Sequence, residues 1–524
     1  MKYTISISSR VETLAASLTI RELMDQLVCP SVAHESLPET PAYGALYMMP
    51  GPKEKLITAI PAYQRRCSIP PLITSDMESG PGETVKGATL FPAMAGCGVA
   101  NSADLAYAMG RAAALEGAAA GYNWTLAPCA DIAREIDSPV VSSRSAGRDP
   151  ERVIKITGAY IRGLQEHGMM ATAKHFPGDG FSVYDQHLTT PVNPLSRRDW
   201  RRLSGKVFQA LVDQGVMAVM PGHIALPAFD RRDPKLKLYP PATLSKPLMT
   251  DLLKGELGFD GIIVSDAIIM GGAVGFKNYY DACALFWENG GDILLFPRMD
   301  EAFYREMEER LCRGLLTEAT LRNRVARVLA VKEQMGLLAP AAPAMARPLA
   351  VEELRQNEAT ANKMADRCVR VVRDREHVIP FPLTPETRVL HVILGRDEAI
   401  EEGSLYRQFT GMIAHRSPKV TELIDPGPWQ LFERVCRREF DLVICSVITG
   451  PSYGVNVVRL YGTLARNMMG GWMKLGTPVV FVAHQHPFVH LEYEAAMDTI
   501  VNTHGSTPYS LERLLRGITG EQRM

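Results

Sequence analysis

The chain has 524 residues, 46% of them hydrophobic and 22% charged, which excludes a disordered, collagen-like or coiled-coil protein and leaves room for two or three domains. Its 57 Lys and Arg against 58 Asp and Glu give a formal net charge of −1, so nothing draws it to nucleic acid or an anionic membrane. Nine cysteines without a CxxC, a polar opening (MKYTISISSRVETL) and no apolar run of about 18 residues argue against a zinc or redox motif, a secretory leader or a membrane span, and fit a cytoplasmic location.

From residue 1 to about 335, short apolar runs alternate with helical stretches. The runs are GALYMMP (44–50), IPPLITSD (69–76), MMATAKHF (169–176), GVMAVMPGH (215–223), GIIVSD (261–266) and GDILLFP (291–297). Each is nearly continuous in apolar residues, as strands buried on both faces are. Segments such as 103–120 and 150–168 carry helical patterns between them. At least six such units predict a parallel sheet closed into a (β/α)8 TIM-like barrel over 1–336. Polar residues stand at the strand tips: Asp76, Lys174, His175, His223 and Asp266. A barrel builds its active site at that end.

LLAPAAPAMARPL (337–349) reads as a linker, followed by a helix over about 351–367; together they form a linking region over 337–362. RVLHVILG (388–395), DLVICSV (441–447), TPVVFVAH (477–484) and DTIVNTH (498–504) then predict a smaller α/β sandwich domain over 363–524. The fold class is α/β throughout. His484 and His486 end a strand there and are assigned a structural role, and the 24 methionines are read as core filling.

The segment KHFPGDGFSVYDQHLTTP (174–191) joins a strand end to a Pro/Gly-rich loop bearing Asp185 and His187. At i, i+2 spacing the carboxylate can hold the imidazole in one tautomer, making a proton donor and acceptor near neutral pH. Asp266, where GFDGIIVSD stops, is a candidate nucleophile.

KHFPGDG, four residues and then Asp185-Gln186-His187 resembles the KHFPGHG, four residues, Asp-x-His hallmark of glycoside hydrolase family 3, in its β-N-acetylglucosaminidase branch. LITSDMESGPG (72–82), FPAMAG (91–96), NWTLAPCADI (123–132), SSRSAGRDPERV (142–153), MPGHI (220–224) and GIIVSDAIIM (261–270) resemble further segments of that family. The resemblance implies a retaining exo-β-N-acetylglucosaminidase, with Asp266 as nucleophile, His187 as acid/base and Asp185 as its partner. It also implies sugar ligands Asp76, Arg144, Lys174, His175 and His223, the last at the matching MPGHI strand end. The partner is a carbohydrate; no cofactor and no metal are expected. The chemistry is expected within the first domain, unlike the β-glucosidase branch, whose likeness suggests an acidic group from the second.

Three departures touch the expected pocket: Asp179 for the second histidine of KHFPGHG, Met77 and Ser79 for the usual Gln and Gly, and Ala267 for a second acidic residue. Three other readings stand beside the leading one. The first is another family 3 exo-β-glycosidase or a β-glycoside phosphorylase, because neutral imidazole does not repel an incoming phosphate. The second is an inactive sugar-binding protein. The third is a metal hydrolase using His175, Asp185, His187 and His223.

Overall fold

In the computed structural model, which describes residues 1–40, 42–339, 348–455 and 458–524, every apolar run named above becomes a strand. In the first part these are Ala45–Met48, Leu72–Thr74, Thr172–Phe176, Ala218–Pro221, Ile262–Ile263 and Leu294–Leu295. All of their pairings are parallel. Ala45–Met48 lies between Ser31–Val32 and Leu72–Thr74. Ala218–Pro221 lies between Thr172–Phe176 and Ile262–Ile263. Leu294–Leu295 pairs with Val28–Cys29, and isolated parallel bridges join Trp124 to Met170 and Val264 to Ile293.

Two helices of this part pack closely for a reason legible in their glycines. A Cβ at Gly110 would stand 2.3 Å from the Tyr160 carbonyl oxygen, and one at Gly163 would stand 2.1 Å from that of Tyr107. Only glycine lets Ala103–Ala119 and Pro150–Gln165 approach so closely.

The second part holds a six-stranded sheet in the order Arg370–Asp374, Thr499–Asn502, Val479–Ala483, Leu442–Val447, Val389–Leu394, Val420–Ile424. Its pairings are parallel except the first, which is antiparallel. Alternate residues serve opposite faces. Leu390, Val392, Val443 and Cys445 pack toward Trp472, whereas Val389, Ile444, Val480 and Val482 pack toward Leu511, Leu514 and Ile518.

The chain divides into two compact units, Met1–Leu90 with Ser102–Glu135 and Ser145–Glu358, and Phe91–Asn101 with Ile136–Arg144 and Ala359–Met524. This differs from the expected consecutive domains in two ways. Two early segments belong to the second unit, where Ser142 Oγ lies 2.7 Å from His486 Nδ1 and Asp137 pairs with Arg459. The helix Val351–Cys368 also runs across the dividing point at 358. Of the Pro/Ala-rich stretch, 340–347 lie outside the described residues. Among the described residues, no helix is long and apolar enough to cross a membrane.

Candidate active site

The strand Thr172–Phe176 is buried along its whole length, so both polar residues at its end need partners inside the first unit. Lys174 is 3% exposed, and its ammonium lies 2.7 Å from Asp76 Oδ1 and 2.6 Å from Glu78 Oε1. Asp76 follows Leu72–Thr74, and its Oδ2 accepts the Tyr47 hydroxyl at 2.9 Å. Burial and the neighbouring Asp76 carboxylate keep that phenol protonated well above its ordinary range.

His175 turns toward two carboxylates. Its Nδ1 is 2.7 Å from Asp131 Oδ2, and its Nε2 is 3.9 Å from Asp266 Oδ2. Asp131 Oδ1 also accepts the Asp179 N–H at 2.7 Å, which fixes the start of the Pro177–Gly180 loop. Glycine is required in that loop. Gly178 has φ +116°, and a Cβ there would meet Ser204 Oγ at 2.3 Å.

Asp266 follows Ile262–Ile263. Its N–H donates to the Pro221 carbonyl at 3.3 Å, and its Oδ1 accepts the Ala267 N–H at 2.8 Å. Burial alone would raise its pKa. The facing His175, the Ala267 N–H and His187 outweigh that, so the carboxyl lies below its ordinary 3.8 and is ionised at neutral pH. A buried, ionised carboxylate at a strand tip has the properties of a nucleophile.

Asp185 is fully buried, and its Oδ1 accepts both the His187 N–H at 2.8 Å and Nδ1–H at 2.6 Å. The Asp-x-His spacing therefore closes into a direct carboxylate–imidazole pair, with Nε2 as the ring atom that can exchange a proton with a substrate. Gly271 N–H donates to the His187 carbonyl and Gly272 N–H to that of Gln186, at 2.8 and 3.1 Å, so this loop runs beside the turn that follows Asp266.

His223 corrects the expectation of a sugar ligand. It is fully buried, with Nε2 3.0 Å from the Ala267 carbonyl and Nδ1 2.9 Å from Thr243 Oγ1. Both nitrogens are thus used by the protein. Burial, only partly opposed by Asp266 and the Ala267 carbonyl, pulls its pKa below the ordinary 6.5 and keeps it neutral. Its place is to hold the Asp266–Ala267 turn. Met77 is a second correction: it is wholly buried, against Gly117 on the Ala103–Ala119 helix, and forms core rather than pocket rim. Arg144 belongs to the other unit, where Nη1 donates to the Val140 carbonyl at 2.9 Å and the guanidinium lies 5.6 Å from the Tyr453 ring centroid.

Sequence reasoning did not single out Asp131. Its signal was present: NWTLAPCAD is an apolar stretch ending in a carboxylate, like the strand tips that were noticed. The four residues of the metal reading do not assemble as a ligand set, since His187 and Asp185 bind each other and His223 is committed elsewhere. Among the described residues, the group able to surround a cation is instead Cys129, Asp131 and His175. At 2.7 Å the Asp131–His175 contact is a hydrogen bond between the two side chains, which commits both to each other.

Two independent Asp–His pairs around a third, ionised aspartate set the frame for comparison with known proteins. Residues 53–331 match the model of the glycosyl hydrolase family 3 N-terminal domain, more than half of the chain. The chain belongs to glycoside hydrolase family 3. A protein of Cellulomonas fimi named beta-N-acetylglucosaminidase/beta-glucosidase is 27% identical over 98% of this chain and 93% of its own length. A beta-hexosaminidase of Chromobacterium violaceum is 35% identical, over 44% of this chain and 64% of that protein. The structure of beta-glucoside phosphorylase BglX superposes with a TM-score of 0.88 at 27% identity, covering 100% of this chain and 96% of the other. A family 3 beta-N-acetylglucosaminidase from Paenibacillus sp. FPU-7 superposes at 0.81 with 22% identity, over 96% and 97% of the two chains, a likeness of fold. The family 3 chain described here is therefore an exo-acting glycosidase.

Proposed function

We propose that this family 3 enzyme is a retaining exo-β-N-acetylglucosaminidase that removes terminal β-linked N-acetylhexosamine from small glycosides. The observation that carries the reading is the Asp185–His187 pair at 2.6 Å in the same site as the ionised Asp266. A carboxylate and a histidine then divide the work that two carboxylates share in most glycosidases. Asp266 attacks the anomeric carbon, and the bond to the leaving oxygen breaks as protonated His187 gives that oxygen its Nε2 proton. Water next attacks the same carbon, His187 takes a proton from it, and the Asp266 ester bond breaks to release the sugar with its configuration retained. Asp76 accepts from sugar hydroxyls while Lys174 donates, and hydroxyls need both.

The reading includes a (β/α)8 barrel for the first unit and a cytoplasmic location. The parallel pairings within Ser31–Val32, Ala45–Met48 and Leu72–Thr74, within Thr172–Phe176, Ala218–Pro221 and Ile262–Ile263, and between Leu294–Leu295 and Val28–Cys29, support the barrel. Nine cysteines, an odd count without a CxxC, support a reducing compartment.

A second reading has its own support. The BglX likeness covers the whole chain, and phosphate can replace water as the second attacking group, giving a glycosyl phosphate without proton removal. A panel of aryl β-glycosides, assayed with and without phosphate and with products identified, separates the two. Release of free N-acetylglucosamine at equal rates in both buffers supports hydrolysis; a sugar 1-phosphate supports phosphorolysis. Asp266→Asn is expected to bind sugar yet lose turnover by several orders of magnitude, with azide restoring part of it as a glycosyl azide. Wild-type turnover in that variant would remove Asp266 from the mechanism.

A further inference from the structure

We propose that Asp131 is a positioning residue of this site: it keeps a proton on His175 Nδ1 and thereby aims Nε2 at the Asp266 carboxylate and the sugar. The proposal rests on the reading of Asp266 as nucleophile and His187 as acid/base. Asp131 is 1% exposed, and its carboxylate meets three donors. Both oxygens lie 3.2 Å from the His175 backbone N–H, Oδ1 takes the Asp179 N–H at 2.7 Å, and Oδ2 is 2.7 Å from His175 Nδ1.

An ionised carboxylate only accepts, so the ring nitrogen facing it at that distance is the donor. The opposite tautomer would set a lone pair against the Asp131 carboxylate at hydrogen-bond distance, whereas Nε2 stands beyond that distance from Asp266. With Nδ1 committed, Nε2 is the atom directed at Asp266 Oδ2, 3.9 Å away. That separation exceeds a hydrogen bond and matches a gap that one sugar hydroxyl can bridge. Asp131 is itself anchored, since Ser145 Oγ donates to its main-chain carbonyl at 2.7 Å. Asp131–His175 thus repeats, with a different residue pair, the logic of Asp185–His187. One pair aligns a ligand of the nucleophile's surroundings, the other a proton donor.

The same carboxylate also ties the strand end to the Pro177–Gly180 loop, so activity loss alone cannot separate alignment from loop support. The deciding measurement is the tautomer. Histidine-15N-labelled full-length enzyme is examined by long-range 1H–15N correlation, with His175 and His187 assigned by His175→Gln and His187→Gln. The wild-type His175 is expected to carry its proton on Nδ1. In Asp131→Asn, whose amide can donate to a bare Nδ1, the proton moves to Nε2 while the His187 signals stay in place. kcat/KM falls roughly 10- to 100-fold, the range typical of groups that orient a ligand, and the same change costs little once His175 is already Gln. Should the Asn variant fail to fold, Asp131→Glu is expected to retain the Nδ1 proton. A wild-type His175 bare at Nδ1, an Asp131→Asn enzyme with wild-type kcat/KM, or an undiminished loss in the His175→Gln background would each overturn the proposal. Full turnover by Asp266→Asn with the His175 tautomer intact would instead overturn the catalytic reading on which it stands.

Discussion

A proton donor matters most where the leaving group is poor, and His187 can be judged by that rule. In His187→Ala, glycosides with alkyl or sugar leaving groups are expected to lose roughly 10²- to 10⁴-fold in kcat/KM. An activated nitrophenyl glycoside keeps its first step and shows a burst of phenol followed by slow turnover. A uniform loss across leaving groups would make His187 a structural residue. At Asp266 the competing effects are explicit. Burial opposes ionisation, but the facing His175 and the Ala267 N–H prevail, so this group stays anionic at neutral pH. His223 contributes by occupying the space beneath the turn, which is why a residue expected to touch sugar instead touches Ala267.

At the scale of elements, the central strands of the second unit carry histidines that must remain neutral. His391, on Val389–Leu394, lies between Thr410 Oγ1 and Ser446 Oγ at 2.8 Å each, and burial pulls its pKa from 6.5 to about 3. Burial does the same to His484, reinforced by His391, and its pKa is also about 3. The unfolded chain takes up these protons near pH 6.5 and the folded chain does not, so stability is fully present above that value and falls as the pH drops toward 3. Between about pH 7 and about pH 5 each histidine is expected to cost roughly 2 kcal/mol. Urea unfolding followed at the two pH values checks this, and His391→Asn should flatten the dependence; an unchanged midpoint would contradict it.

The same scale shows what could be read from sequence. The buried parallel strands were legible because both faces are apolar, as in VLHVIL and VVFVA. Val420–Ile424 escaped notice because VTELI lies on a sheet edge and every residue is half-buried. Arg370–Asp374, the other edge, is charged at both ends. In the site, Asp185–His187 was legible because its spacing is local. The roles of Asp131 and His223 were not: their partners, His175 and Ala267, lie 44 residues away in each case, and only the folded chain sets the distance.

For the whole molecule, the residues assigned to proton transfer and nucleophilic attack all precede the Pro/Ala-rich stretch. Replacing single acidic residues beyond Lys363, Glu398→Gln or Glu492→Gln for example, is therefore expected to leave the first chemical step largely intact. Turnover on an activated aryl glycoside, with folding confirmed by circular dichroism, is the check. One such carboxylate whose loss abolishes turnover in a folded protein would displace His187 as acid/base.

The division of the chain into interleaved segments bears on how the protein is made. Phe91–Asn101 and Ile136–Arg144 leave the ribosome long before Ala359–Met524, yet they pack with it: a Cβ at Gly96 would stand 2.9 Å from the His504 carbonyl, and Ser452 N–H donates to that of Pro139 at 3.2 Å. Contacts of such sequence separation form late, because the intervening loop must close first. During synthesis these two segments wait, unpartnered, while the chain around them is already able to fold. The second unit is therefore completed only once Ala359–Met524 has been made, and a nascent chain stalled before residue 359 presents two segments still lacking their packing partners to whatever binds unfinished proteins.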